Sequence, residues 1–431
     1  MFLMLLPFVL GRNLVEITLL NTREIQGYSI FDVVYFFPIY VSDIFLLLIF
    51  QNYISNKLSS SGETIKLSKN YYWAIASFIM LIFVVSLRSL SHEFGYLIVL
   101  SSIILVKFLL IYCAIPLIDI KKHADKIYQC IAANTFFQAG VIIVEQIRRG
   151  NLGLFIEKTL PGMEIATRSS ETRDIIRANG TFNEPNIAAI FLLINFCIVF
   201  SYALKNIESK KIRRGYLYLL ISLISLLALV FTGSRSIYLV TFFAVIYYFL
   251  NNKETLVKLF SKLWQLKSIK IAITIAIIAS APYLFNRADT IRDVFNDRGG
   301  LSYRNEINRY TLLLSQKSIL GVGINLAPYY LAINYKTADS NFAFDVTPAH
   351  NIFIQLYTET GIFGLISIVL FIYFALKDKI TLRKSMTSFT IASIVFLVAA
   401  QFHPAFTSHP EIFSFFMLYS SLANSMQFET L

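Results

Sequence analysis

Three short segments of this chain carry the residue types that handle an anionic group. The first is Arg177-Ala-Asn-Gly-Thr-Phe-Asn-Glu-Pro-Asn186 and the second Thr232-Gly-Ser-Arg235-Ser. The third begins Tyr303-Arg304-Asn-Glu306, passes Arg309 and Gly321-Val-Gly323, and ends Pro348-Ala-His350-Asn351. A guanidinium is planar, stays charged and presents a fork of N–H donors that matches a pair of phosphate oxygens. Pro185 can open a helix, and the free N–H groups of a first helical turn favour an anion. Arg235, flanked by Gly and hydroxyl residues, suits the same ligand. Gly321 and Gly323 follow no predicted strand, so they read as a tight turn rather than a dinucleotide-binding loop.

His350 is the group best placed to move a proton. It precedes a long apolar run, where the positive end of a helix favours the neutral imidazole that a base or hydrogen-bond acceptor requires. Gln355, Tyr357, Thr358, Glu359 and Thr360 lie inside that run, and polar groups at membrane depth are functional candidates. Glu359 stands nine residues beyond His350, half a turn out of phase on an ideal helix, so it is not expected to orient the ring. His403 and His409 fall in a short turn and read as solvated.

The elements that must position these groups are membrane helices. The 431-residue chain is 56% hydrophobic and 15% aromatic, with a mean hydropathy of +0.63, which excludes a soluble fold. Apolar runs near 1–10, 33–51, 71–87, 95–118, 127–147, 187–204, 215–232, 236–251, 269–285, 352–376, 386–402 and 411–427 predict about twelve spans. Loops 52–70, 119–126, 205–214, 252–270 and 377–385 hold 17 of the 21 Lys but only 3 of the 17 Arg; the loops on the other side hold the remaining 14 Arg. Dense Lys in short loops marks the cytoplasmic face, which places both termini there and loops 148–186 and 286–351 outside. Those two loops keep aromatic and aliphatic residues at helical spacing (Tyr303, Ile307, Tyr310, Leu314), so they are expected to fold as a cap over the outer surface. The fold class expected is an all-α polytopic membrane protein, one membrane domain over 1–431.

The formal charge of +12 sits in clusters between apolar runs, without a basic stripe interleaved with aromatics, which argues against nucleic acid as a partner. Leu256, Leu259, Phe260, Leu263 and Trp264 fall opposite Lys258 and Lys262, as in a helix lying on anionic membrane lipid. Cys113, Cys130 and Cys197 show no metal spacing and read as small core hydrophobes. Asp43 lies ten residues, and Lys107 twelve, from the outer ends of their spans. At about 1.5 Å per residue they reach similar depth, and an ion pair is expected because either charge alone in lipid is costly.

The three segments, in this order, resemble the O-antigen ligase and O-antigen polymerase superfamily of bacterial envelope glycan enzymes. The most specific match is His350-Asn351 followed by Gly361 and Gly364, supported by GTFNEPN, FTGSRS and SILGVG, so the similarity runs from about Arg177 to Gly364. The resemblance implies a GT-C-like architecture in the inner membrane and a metal-independent, inverting glycosyl transfer on its periplasmic face, without a cofactor. The donor would be a glycan on undecaprenyl diphosphate, and the acceptor a sugar hydroxyl of lipid A-core or of a second lipid-linked repeat. By the same similarity Arg177, Arg235, Arg304 and Arg309 hold the diphosphate, and His350 with Arg304 acts at the reacting atoms. Asn186, Asn351 and Glu359 would support them. Ligase and polymerase share this pattern; the His-Asn motif favours the ligase. A flippase or transporter would call for inverted repeats and several midplane charges; here Asp43, Lys107 and Glu359 are the clear intramembrane charges, and no DxD motif or nucleotide-sugar loop is present.

Overall fold

The computed structural model describes residues 24–25, 28–29, 41–59, 68–118, 120–153, 166–169, 174–182, 184–264, 300–335, 348–381, 388–403, 406 and 410–425. In chain order the elements are β1 (Glu24–Ile25), β2 (Tyr28–Ser29), α1 (Val41–Ser59), α2 (Lys69–Leu90), α3 (Gly95–Ala114), α4 (Ile120–Arg148), β3 (Ala166–Ser169) and β4 (Asp174–Arg177). They continue with α5 (Pro185–Glu208), α6 (Ile212–Thr232), α7 (Arg235–Asn251), α8 (Lys253–Trp264), α9 (Gly300–Ser315), α10 (Ala327–Tyr335), α11 (Ile352–Thr381), α12 (Ser388–Ala399) and α13 (Pro410–Ser425).

Six of these are long and apolar enough to cross a bilayer: Lys69–Leu90, Gly95–Leu117, Lys122–Arg148, Pro185–Glu208, Ile212–Thr232 and Ile352–Lys377. The spans expected at 236–251, 386–402 and 411–427 are helices of 17, 12 and 16 residues. Those expected at 1–10 and 269–285 lie outside the described residues. Loop 148–186 departs from the all-α expectation, because β3 and β4 pair antiparallel with Ala166 opposite Arg177 and Ser169 opposite Asp174. β-branched Thr167, Ile175 and Ile176 favour that hairpin.

The described residues form two compact units. The first comprises 1–124, 303–393 and 400–431. Within it, Tyr71, Ala74, Phe78, Leu81 and Val85 make one buried stripe on α2, at the three-to-four-residue spacing of a helix face. That stripe packs on α11, with the Phe78 and Phe371 rings 5.1 Å apart. The opposite face of α2 exposes Tyr72, Ile79, Met80, Phe83 and Leu87, an apolar surface of the kind lipid covers. α3 packs on α13 through Phe108 and Phe413, 4.7 Å apart, and Ser421 Oγ and Tyr71 Oη both donate to the Tyr112 carbonyl.

The second unit comprises 125–302 and 394–399. Its centre is α5, apolar all round and buried on nearly every side, as a helix enclosed by others should be. α6 returns along it, and α7 closes another side where Tyr248 Oη donates to the Cys197 carbonyl at 2.8 Å. Cys197 is accordingly a core residue, while Cys113 and Cys130 are half-buried.

Contacts within each unit join loops that the charge pattern assigns to one face. Asp125 meets Tyr202 and Arg214, and Glu208 meets Thr255, linking three Lys-rich loops. Tyr330 meets His92 and Glu93, linking two Arg-bearing loops.

Lys107 Nζ donates to Asp43 Oδ2 at 2.7 Å, and both side chains are largely buried. The depth count along the two apolar runs thus anticipated the partner. Breaking a buried pair from one side typically costs about 3–5 kcal/mol, because it strands the other charge. Asp43→Asn and Lys107→Met are each expected to lower the yield of monodisperse protein in size-exclusion chromatography. The double variant should recover part of it; simple addition of the two losses would count against coupling.

His92, in the turn after α2, has its protonation pushed below the usual histidine range, chiefly by burial and then by the Arg88 charge, with Glu93 and the Val322 carbonyl opposing. Its Nδ1 accepts the Phe94 N–H at 3.0 Å, so Nε2 carries the proton and faces Tyr330 Oη at 3.0 Å. A histidine that binds protons less readily when folded supports stability above the unfolded value near 6.5 and loses that support as pH falls through the folded one. Thermal unfolding in detergent should therefore drop between pH 7.5 and 5 by less in His92→Gln than in the wild type. Equal drops would remove His92 from the account.

Candidate functional site

The site residues in the first unit lie where α9 meets His350 and the early part of α11 through two hydrogen bonds. Ile307, Thr311 and Leu314 form the buried stripe of α9, and Arg304 and Asn308, four residues apart, share a neighbouring line. Asn308 Oδ1 accepts the His350 N–H at 3.0 Å. Farther along, Thr358 Oγ1 donates to the Thr311 carbonyl at 3.0 Å. Arg304 is half-buried one turn from Asn308, whereas Arg309 is exposed and projects well away from that line. Arg304 thus lies one helical turn from the residue that bonds the His350 backbone, and Arg309 lies on another side of α9.

Asn351 caps α11. Its Oδ1 accepts the N–H groups of Phe353 and Ile354, and its Nδ2 donates to Gln401 Oε1 at 3.0 Å. These bonds satisfy donors that a helix end leaves without intrahelical partners. The Ile352 N–H donates to the Ala400 carbonyl, so the start of α11 is stapled to the turn at 400–401. His350 is thereby held at a defined helix origin. The sequence reading of His403 needs correction: it is fully buried, and its ring meets that of His350 edge to face, with centroids 6.2 Å apart. Aromatic Phe406 and Phe413, packed at 4.8 Å, build a core beneath what reads as a polar turn. His409 lies outside the described residues.

The span after His350 is also not the continuous helix its hydropathy suggests. Gly361 adopts φ 69° and ψ −171° and breaks α11. The freed carbonyls of Thr358 and Glu359 accept the N–H groups of Val322 and Gly323, and the Ile362 N–H donates to the Ile319 carbonyl. The tight turn expected at Gly321 is present, its N–H donating to the Ser318 carbonyl, and the run also pairs with the break, which satisfies broken backbone inside the protein. Glu359, beside that break, is buried and takes a long hydrogen bond from Gln355 Nε2 at 3.4 Å.

In the second unit the first two segments meet. Arg177 Nε donates to the Thr232 carbonyl at 3.1 Å and its Nη2 to Asn186 Oδ1 at 2.6 Å. The Ala178 N–H donates to the Phe231 carbonyl. Asn186 thus orients Arg177 directly. Arg235 opens α7 just past Gly233 and Ser234 and is half-buried. Pro185 opens α5 as expected. The loop N–H groups of Asn179 and Gly180, however, are taken by Glu145 Oε2, and the Thr181 N–H by Gln138 Oε1.

Sequence reasoning missed Gln138, Glu145, Asn308 and His403. Gln138 and Glu145 had a usable signal, being polar residues seven apart on one face of an apolar helix. Asn308 had a weaker one, four residues beyond Arg304. Among the described residues, no three His, Cys, Asp or Glu side chains gather to hold a metal ion.

A family model described as O-antigen ligase matches residues 220–369. The matched stretch holds Arg235, Arg304, Arg309, His350, Asn351 and Glu359 and stops short of Arg177 and Asn186. A comparison with curated proteins finds no match.

Proposed function

We propose, from the O-antigen ligase and polymerase superfamily that this match supports, that the chain is an integral membrane glycosyltransferase of the ligase type. It would move a glycan from undecaprenyl diphosphate to an acceptor sugar hydroxyl, working in the bacterial plasma membrane on its periplasmic face with both termini cytoplasmic. The observation that carries this reading is the match over the segment in which His350 is fixed by Asn308 and by the Asn351 cap.

In the proposed reaction the acceptor oxygen attacks the anomeric carbon from the face opposite the leaving group, so the new C–O bond forms with inversion as the bond to the diphosphate breaks. The hydroxyl proton passes to a base, the role proposed for His350, or on to the departing phosphate. Negative charge grows on the diphosphate, so preorganised donors aimed at it lower the barrier most. Arg177, Arg235, Arg304 and Arg309 are proposed for that task. Arg304 has the strongest case, because it shares a helix face with the residue that anchors His350. Arg309 has the weakest, being exposed. A lipid diphosphate is already a good leaving group, so the proposed transfer uses neither metal nor cofactor.

The test of substrate is genetic. Deleting the gene in its host and separating carrier-linked glycans by size should reveal long polymer stranded on the lipid, with none on lipid A-core. Single repeat units on the carrier would instead identify a polymerase, and unchanged glycans would remove the reading.

A further inference from the structure

Glu145 is a fully buried carboxylate on the apolar helix α4. Its Oε2 accepts the N–H of Asn179 at 3.1 Å and of Gly180 at 2.8 Å. On the same face, Gln138 accepts the Thr181 N–H through Oε1 at 3.2 Å and donates from Nε2 to Thr181 Oγ1 at 2.6 Å. Three successive peptide N–H groups therefore point down into α4. Successive N–H groups of this kind form a concavity that ordinarily takes an external anion; here the chain's own carboxylate fills it. The loop closes on itself above, where Asn179 Nδ2 donates to the Phe182 carbonyl at 2.8 Å.

Arg177 lies two residues before this clamp and Asn186, which holds its Nη2, lies beyond it. Pinning the peptide planes from 179 to 181 fixes both ends of the Arg177 to Asn186 contact. A carboxylate is a costly residue to bury on a membrane helix unless its hydrogen bonds are made. Charge-assisted bonds to backbone N–H groups are also about twice as strong as neutral ones. We propose that Glu145, aided by Gln138, is a positioning residue that holds the 177–186 loop so that the Arg177 guanidinium is presented to a diphosphate. The inference rests on the reading of Arg177 as a diphosphate holder.

The test is binding of undecaprenyl diphosphate to the full-length protein in detergent, measured by calorimetry. Arg177→Ala and Glu145→Ala are each expected to weaken binding about tenfold or more, and the double variant no further than the weaker single. Glu145→Gln keeps an acceptor oxygen in the same place and should retain most of the affinity. Additive losses, or normal binding by Glu145→Ala while Arg177→Ala is impaired, would overturn the positioning role alone. Normal binding by Arg177→Ala would remove the diphosphate role of Arg177 and the positioning role with it. Where Glu145→Ala fails to fold, Gln138→Ala replaces it in the same cycle with the same expectations.

Discussion

Replacing Gly361 with alanine is expected to leave little folded protein. At φ 69° and ψ −171° the backbone lies in a region that only glycine occupies freely, and forcing another residue there costs about 1–3 kcal/mol. The new Cβ would also collide with the Ile319 carbonyl oxygen, part of a rigid backbone segment that cannot swing aside. Separating the two strands breaks the bonds from Val322, Gly323 and Ile362, about 1 kcal/mol each. The sum of about 4–6 kcal/mol is comparable with the whole net stability of a typical domain. Gly321→Ala meets the same contact from the other side, at the Glu359 carbonyl, and should fail likewise. Gly140→Ala is the control, because a Cβ there meets nothing within 4 Å and a helix gains from the change. Size-exclusion profiles of fluorescent fusions would decide. A monodisperse Gly361→Ala peak at wild-type height would mean that the break in α11 is not required.

Arg235→Lys and Arg304→Lys should impair transfer nearly as much as the alanine variants. Lysine keeps the charge but not the planar fork, and at a site that grips two oxygens the fork supplies the geometry. Losing one such donor typically costs about 100-fold or more in rate. His350→Ala should be equally severe with normal yield, since Asn308 bonds the backbone of His350 rather than its ring. His403→Ala should be harmful as well, because it removes a fully buried ring that packs against His350. Turnover by purified variants of matched monodispersity checks all four. A charge-only site would leave the two Lys variants close to wild type.

What could be read in advance follows from what is local. The apolar runs located the long helices, and the depth count along two of them found the Asp43 to Lys107 pair. Asn351 before an apolar run is a helix cap by composition, and the Arg segments at 177 and 232–235 did come together. The break at Gly361 was hidden because one glycine inside a continuous apolar run costs a hydropathy argument nothing, whereas its φ depends on a distant segment pairing beside it. His403 was misread for the same reason: a polar residue in a short turn looks solvated, and only the tertiary fold buries it. Glu145 lies near the end of its apolar run, where a charge attracts little notice. Its partners, 34 and 35 residues away, exist only in the fold.

The most direct test of the central claim is release of undecaprenyl diphosphate by the purified protein in lipid, from a lipid-linked glycan, with and without an acceptor glycan and with a chelator added. The account predicts that release requires the acceptor, matches the amount of acceptor glycosylated, leaves an inverted anomeric linkage and is unaffected by the chelator. Movement of intact lipid-linked glycan between leaflets without release would contradict it, and loss of release on chelation would contradict its metal-free chemistry.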